Sequence, residues 1–213
     1  LPGLHDHHMH LFAAAAAHES VDCNVGAGTR SQCRELLAAR LQQASGGDWI
    51  RGVDYQEQQV GELDRWRLDE LCPSRPVRIQ HRSGKVWVCN SLALQELGFK
   101  DSDRIDGLET DGRGALTGRI VRNDSLLAER MRRAKAHKQP DIAAYSRLLA
   151  SHGIVGITDT SASNRLATLA DFQRLSANGD LLQQVTLMGG DDLDSGYLKI
   201  LLDEDMISNV GAS

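Results

Sequence analysis

The sequence lacks any apolar run long enough to cross a membrane. The longest run near its start is Leu11-Phe12 followed by five alanines, whereas a membrane-spanning helix needs about 20 apolar residues. The basic segment, apolar core and small-residue cleavage site of a secretory signal are also missing. We therefore predict no membrane span and no membrane partner.

Basic runs and paired cysteines are absent as well. The net charge is -5, so a polyanion would be repelled and a nucleic-acid partner is excluded. No Cys-x-x-Cys pair occurs, which is typical of reduced, packed cysteines and predicts a cytoplasmic protein. The cysteines are Cys23, Cys33, Cys72 and Cys89.

What the sequence does contain is a histidine-rich start, because half of its eight histidines lie in residues 1–10. In a strand the side chains alternate between two faces. This alternation predicts that Asp6, His8 and His10 lie on one face of the strand and that His5, His7 and Met9 lie on the other. Two neutral histidines two residues apart on a strand can bind one metal ion. His8 and His10 are therefore predicted metal ligands.

The histidine cluster also admits other interpretations. A histidine cluster at a chain start is also typical of an expression-tag remnant or a solvated tip. Interruption by Asp6 and by apolar residues favours a strand instead. The metallo-β-lactamase pattern His-x-His-x-Asp-His is excluded, since Met9 and Phe12 stand where its aspartate would have to be.

The rest of the chain alternates between strand and helix patterns. A composition of 41% hydrophobic and 25% charged residues allows a sizeable core, with one domain as the default. Predicted strands cover 49–53, 77–81, 154–159 and 185–188, and predicted helices cover 64–72, 90–97, 126–136, 142–151 and 165–178. A capping box at 29–32 starts a further helix, and turn residues at 111–114 predict a hairpin over 105–120. This order is typical of an α/β protein with a parallel sheet.

Residues Pro2 to His10 resemble the Pro-Gly-x-x-Asp-x-His-x-His signature of the amidohydrolase superfamily. Later segments are similar, in order, to a branch that includes N-substituted formamide deformylase: 49–54, 63–65, 75–94 and 153–159. The resemblance implies a (β/α)8 barrel, which takes about 250 residues. The family usually has a small β-domain before this first strand and further ligand-bearing strands later. The fold predicted is thus a partial (β/α)8 TIM barrel, with residues 1–213 as its N-terminal portion and a hairpin insertion near 105–120.

Lys199 is the second candidate ligand. It lies inside the apolar run 197–202, and a buried lysine is costly unless its charge is removed or paired. The resemblance implies a carboxylated lysine that bridges two metals and acts in catalysis. It also implies a divalent metal, zinc by ligand type, as one or two ions on His8, His10 and Lys199. The competing interpretation is a lysine that snorkels from an edge strand.

Two further candidates end predicted strands. Barrel enzymes place their chemistry at the C-terminal ends of strands, which predicts that His81 binds substrate and that Asp159 is catalytic. A hydrogen-bonding surface histidine and a turn aspartate are the alternatives. After His81 this chain has Ser83-Gly84-Lys85 where the branch often has Asp-Gly-His.

The function that the resemblance implies is hydrolysis of a carbon–nitrogen bond in a small amide or formamide by a metal-activated water. A second class stays open. An inactive barrel fragment would act only as a metal-binding or interaction module. Its unpaired strand edges would favour association, including a homo-oligomer.

Overall fold

The structure is a computed structural model that describes residues 2–44, 47–136 and 138–189. The chain forms two compact units: a first unit of Leu1–His18 with Pro140–Ser213, and an inserted unit of Glu19–Gln139. The elements in chain order are β1 (Leu4–Met9), α1 (Leu11–His18), β2 (Val21–Asp22), α2 (Arg30–Gln43), β3 (Ile50–Tyr55), α3 (Glu57–Val60), α4 (Arg65–Leu71), β4 (Val77–His81), β5 (Val86–Cys89), α5 (Ser91–Glu96), β6 (Leu108–Thr110), β7 (Leu116–Val121), α6 (Asp124–Arg133), α7 (Ile142–Ser151), β8 (Ile154–Asp159), α8 (Leu166–Ala177) and β9 (Gln184–Leu187). None of the described helices is long and apolar enough to span a bilayer.

The first unit is built on a parallel sheet of three strands in the order β1-β8-β9. Helix α8 makes the crossover between β8 and β9, as parallel neighbours require. Helix α7 precedes β8 and buries Ile142, Ser146 and Leu149, which recur on one helical face. The apolar core of this unit consists of Met9, Leu11, Ala15, Ile142, Leu149, Ile157, Phe172, Leu175, Leu181 and Leu187.

The inserted unit contains a mixed sheet of six strands in the order β2-β3-β4-β5-β7-β6. Strands β2, β3 and β4 pair in parallel, whereas β4–β5, β5–β7 and β6–β7 pair antiparallel. Helix α2 begins at the capping box of Thr29 and Gln32, as predicted. One core cluster includes Ile50, Val77, Ile79 and Val88, and another includes Trp87, Cys89, Leu116 and Ile120. The predicted hairpin over 105–120 is confirmed as β6 and β7.

Asn90 joins three elements of the inserted unit and is fully buried. Its Oδ1 accepts hydrogen bonds from the backbone N–H groups of Val77 and Ala93, at 3.0 and 2.9 Å. Its Nδ2 donates to the carbonyls of Cys72 and Arg75, at 3.3 and 2.8 Å. One side chain therefore caps α5 and fixes it to the start of β4 and the end of α4.

All four cysteines are buried and none forms a disulfide. Burial raises the pKa of the Cys23 and Cys89 thiols to about 12. Both thiols are therefore protonated at neutral pH and act as packing groups.

The prediction that a helix follows every strand is wrong in the inserted unit. Strand β4 was expected to be a barrel strand, but it turns through Ser83 and Gly84 into β5, which the sequence analysis missed. The reason is local, since Gly84 adopts a positive φ of 72° that closes a tight turn. The described residues have a mixed α/β fold in two sheets and form no closed barrel.

Candidate metal centre

Strand β1 carries an irregularity that decides where its histidines lie. Asp6 pairs with Ile157, and Met9 pairs with Asp159. Between these two pairs β1 advances by three positions and β8 by only two, so β1 contains one extra residue. The Asp6 carboxylate accepts the backbone N–H of His8 at 2.9 Å, a local bond that supports such a bulge. Because Ile157 and Asp159 lie on one face of β8, Asp6 and Met9 share a face as well. The predicted strict alternation, with Met9 beside His5 and His7, is therefore wrong.

His8 and His10 lie close together at the C-terminal end of β1. Both side chains are exposed, and their ring centroids are 5.5 Å apart in an edge-on arrangement. Tetrahedral zinc with N–metal bonds of about 2.0–2.1 Å would bring two imidazole centroids to about 5 Å from each other. The separation of the two rings thus fits a shared metal ion.

The His10 ring is held by a residue from the neighbouring strand end. Its Nδ1 lies 3.0 Å from the hydroxyl oxygen of Ser161, just beyond β8. Histidines that bind metals usually have their other ring nitrogen fixed by such a bond. Ser161 therefore fixes the orientation of the His10 ring.

Asp159 is fully buried and binds the ends of the strands together. Its Oδ2 accepts the backbone N–H of Leu11 at 2.7 Å, and its Oδ1 accepts the N–H of Ser161 and the Nδ2 of Asn164, both at 2.9 Å. Asn164 Nδ2 also donates to the carbonyl of Met188 at 2.9 Å, beyond β9. In this structure Asp159 positions the residues that follow β1 and β8, while its predicted catalytic role stays a prediction.

His5 and His7 form a second ring pair, stacked with centroids 4.3 Å apart. The Nε2 of His5 lies 2.9 Å from the hydroxyl of Thr158 on β8. A Cβ at position 156 would overlap the His5 ring, so a larger residue there would force that ring to shift.

His81 lies in the inserted unit at the end of β4. Its Nε2 is 2.6 Å from the Glu57 carboxylate and its Nδ1 is 2.8 Å from the Ser83 hydroxyl, so both ring nitrogens have partners. The backbone N–H at Glu57 and the bond to His81 lower the pKa of the Glu57 carboxyl. The substrate-binding role of His81 stays a prediction, as does the ligand role of Lys199, which lies outside the described residues.

The described part of the chain contains no group of three or more His, Cys, Asp and Glu side chains arranged to hold a metal. It supplies the histidine pair and the groups that orient it. Sequence reasoning missed two of these groups, Ser161 and Asn164. The polar stretch 160–164 directly after β8 was a usable signal, but its partners lie far away in the sequence.

Comparison with solved structures identifies the class of fold. Two solved structures of uncharacterized metal-dependent hydrolases, from Pyrococcus horikoshii OT3 and Pyrococcus furiosus, match 88% of this chain with TM-scores of 0.62 and 0.58. Each is 21% identical in sequence, and the chain covers only 36% and 37% of their lengths. The described fold is therefore similar to part of a metal-dependent hydrolase.

The family follows from the sequence model of the amidohydrolase family, which matches residues 1–211. The chain belongs to this family. N-substituted formamide deformylase from Arthrobacter pascens is 31% identical over 103 residues, which is 46% of this chain and 19% of that protein. The chain thus spans a small part of the curated relative it matches.

Proposed function

We propose that this chain is the part of a metal-dependent hydrolase that carries the first two metal ligands, His8 and His10. The observation that carries the proposal is their geometry, with ring centroids 5.5 Å apart at the C-terminal end of a parallel strand. Parallel α/β barrels hold their active sites at this end of the strands. Membership of the amidohydrolase family supports the same assignment.

The three-stranded sheet of the first unit is, in this proposal, an arc of a (β/α)8 barrel. Strands β1, β8 and β9 are parallel neighbours, and α8 covers the crossover between the last two. Hydrogen bonds of Asp159 and Asn164 connect the segments that follow the C-terminal ends of these three strands. In sequence, the inserted unit then lies between helix α1, which follows β1, and the segment that contains α7 and β8, the next strand of the arc.

The proposed metal is a divalent ion, and the imidazole chemistry of its ligands favours zinc. When bound, such an ion would lower the pKa of a bound water to about 7 and polarise a substrate carbonyl. His8 and His10 hold it, and Ser161 orients His10 through Nδ1. Asp159 keeps Leu11 and Ser161 in place, so the strand end does not shift when a substrate binds. Lys199, carboxylated, is proposed as a third ligand, and His81 as a substrate contact.

The proposed reaction is hydrolysis of a carbon–nitrogen bond in a small amide or formamide. It is supported by the similarity of 103 residues to N-substituted formamide deformylase. Fold alone does not choose the bond, because one fold supports many chemistries. The substrate class therefore needs a direct assay.

The test is amine release from a panel of N-substituted formamides, amides and esters by the purified protein with added zinc or manganese. We expect hydrolysis of formamides or amides, reduced by more than about 100-fold in His8→Gln and His10→Gln. His152→Gln is the matched control, since His152 is an exposed histidine at the end of α7. Metal binding without turnover of any substrate would favour the inactive metal-binding module instead.

A further inference from the structure

Two arginines lie side by side on the sheet of the inserted unit. Arg51 on β3 and Arg78 on β4 are register partners in the parallel pairing of these strands. Their neighbours Ile50, Val77 and Ile79 belong to one core cluster, so both arginines point from the opposite face of the sheet. Strand positions give the two side chains a rigid base.

An indole ring lies against both guanidinium groups. The central carbons of Arg51 and Arg78 are 5.5 and 5.1 Å from the centroid of the Trp87 ring. The ring is itself fixed, because its Nε1 donates to the Asp124 carboxylate at 2.7 Å. Such cation–π contacts hold guanidinium groups in place without satisfying their N–H donors.

The two charges are not compensated by a carboxylate in the described residues. Arg51 donates to the Ser20 hydroxyl at 2.6 Å, and Arg78 has neither a hydrogen bond nor an ion pair there. Elsewhere in this unit Arg65 pairs with Asp101 and Arg119 with Glu109. The Arg51–Arg78 pair is thus a local concentration of positive charge.

Placing two like charges side by side in a partly buried position has an electrostatic cost. Burial, together with the charge of Arg78, lowers the pKa of Arg51 to about 10, and burial lowers the pKa of Arg78. Both groups remain charged at neutral pH and repel each other. An anion between them would remove this cost.

We propose that Arg51 and Arg78 bind the carboxylate or phosphate group of a small molecule, against the Trp87 ring. Guanidinium groups match the oxygen pairs of such anions through parallel N–H donors. Arg51 and Arg78 are both only partly buried, so solvent can reach their side chains. This binding site is independent of the metal centre and of the proposed hydrolysis.

The test follows the Trp87 indole N–H by nuclear magnetic resonance while phosphate or benzoate is added to the purified protein at constant ionic strength. The Trp87 resonance is assigned with Trp87→Phe. We expect a saturable shift with at least one of the two anions, no such shift with chloride, and a more than tenfold weaker affinity in Arg51→Gln and Arg78→Gln. Arg67→Gln, on the exposed side of α4 and paired with Glu70, should bind as the unsubstituted protein does.

Thermal unfolding without added anion tests whether the arginine pair is open to an added anion or is already compensated by groups of the protein itself. The proposal predicts that Arg51→Gln and Arg78→Gln are at least as stable as the unsubstituted protein, because the repulsion is relieved. A clear loss of stability in both would mean that contacts within the protein itself, such as those with Trp87 and Ser20, already compensate the pair, and would overturn the proposal. The absence of a saturable shift with both anions would overturn it equally.

Discussion

At the scale of single residues, the candidate metal centre depends on a few hydrogen bonds between chain segments far apart in sequence. Ser161 fixes the His10 ring, and Asp159 fixes the backbone on either side of the two strand ends. The histidine pattern was readable from the sequence because its spacing is local. Ser161 was not, since only the pairing of β1 with β8 brings it to His10, and Asn164 was not, since it bonds to Asp159 and to Met188 beyond β9.

Replacing Ser161 by alanine should weaken metal binding while leaving the fold intact. Loss of the bond to His10 Nδ1 frees the ring to rotate, and outer-shell changes of this kind usually cost about 10- to 100-fold in metal affinity. Competition with a zinc indicator measures the affinity. Ser163→Ala, on an exposed residue of the same loop, is the matched control, and equal affinities in the two variants would contradict the assignment.

Asp159→Asn should destabilise the protein, because the amide would place a donor opposite backbone N–H groups that are already donors. Leaving such buried groups unsatisfied costs about 2–4 kcal/mol of the free energy of unfolding. Denaturant unfolding measures it, with Asp171→Asn on the exposed side of α8 as the control. Unchanged stability with lost hydrolysis would instead support the catalytic role predicted from the sequence.

At the scale of elements, most helices and strands could be predicted, but their pairing could not. The capping box of α2, the bounds of α7 and β8, and the hairpin of β6 and β7 follow from short-range rules. The antiparallel return of β4 into β5 was missed although its turn at Gly84 is local, because an apolar strand pattern carries no information on its partner. The bulge in β1 was missed for the same reason, since it is defined only against β8.

Asn90 gives the sharpest test at this scale. Alanine at position 90 would leave two buried N–H groups and two carbonyls without their partner, and we expect a loss of at least about 3 kcal/mol in unfolding free energy. Asn123→Ala is the matched control: Asn123 caps α6 in the same unit but is only partly buried, so its loss should cost about 1 kcal/mol. Similar losses in both variants would contradict the role of Asn90 as a buried junction.

At the scale of the whole molecule, this member of the amidohydrolase family has a unit with a parallel sheet that carries the histidines and a second unit inserted in sequence. The order of strand and helix patterns correctly indicated an α/β protein, and the cysteines form no disulfide, as predicted. That order gave no sign that residues 19–139 form a separate compact unit. The division depends on long-range strand pairing, which interrupts the strand–helix alternation of a plain barrel.

The central claim is that His8 and His10 bind one metal ion, and metal content tests it most directly. Plasma mass spectrometry on the purified, folded protein should find one equivalent or more of zinc, iron or manganese. The metal should be lost in the His8→Gln, His10→Gln double variant and retained in His152→Gln. Equal metal in all three proteins, or none in folded protein supplied with these ions, would contradict the account.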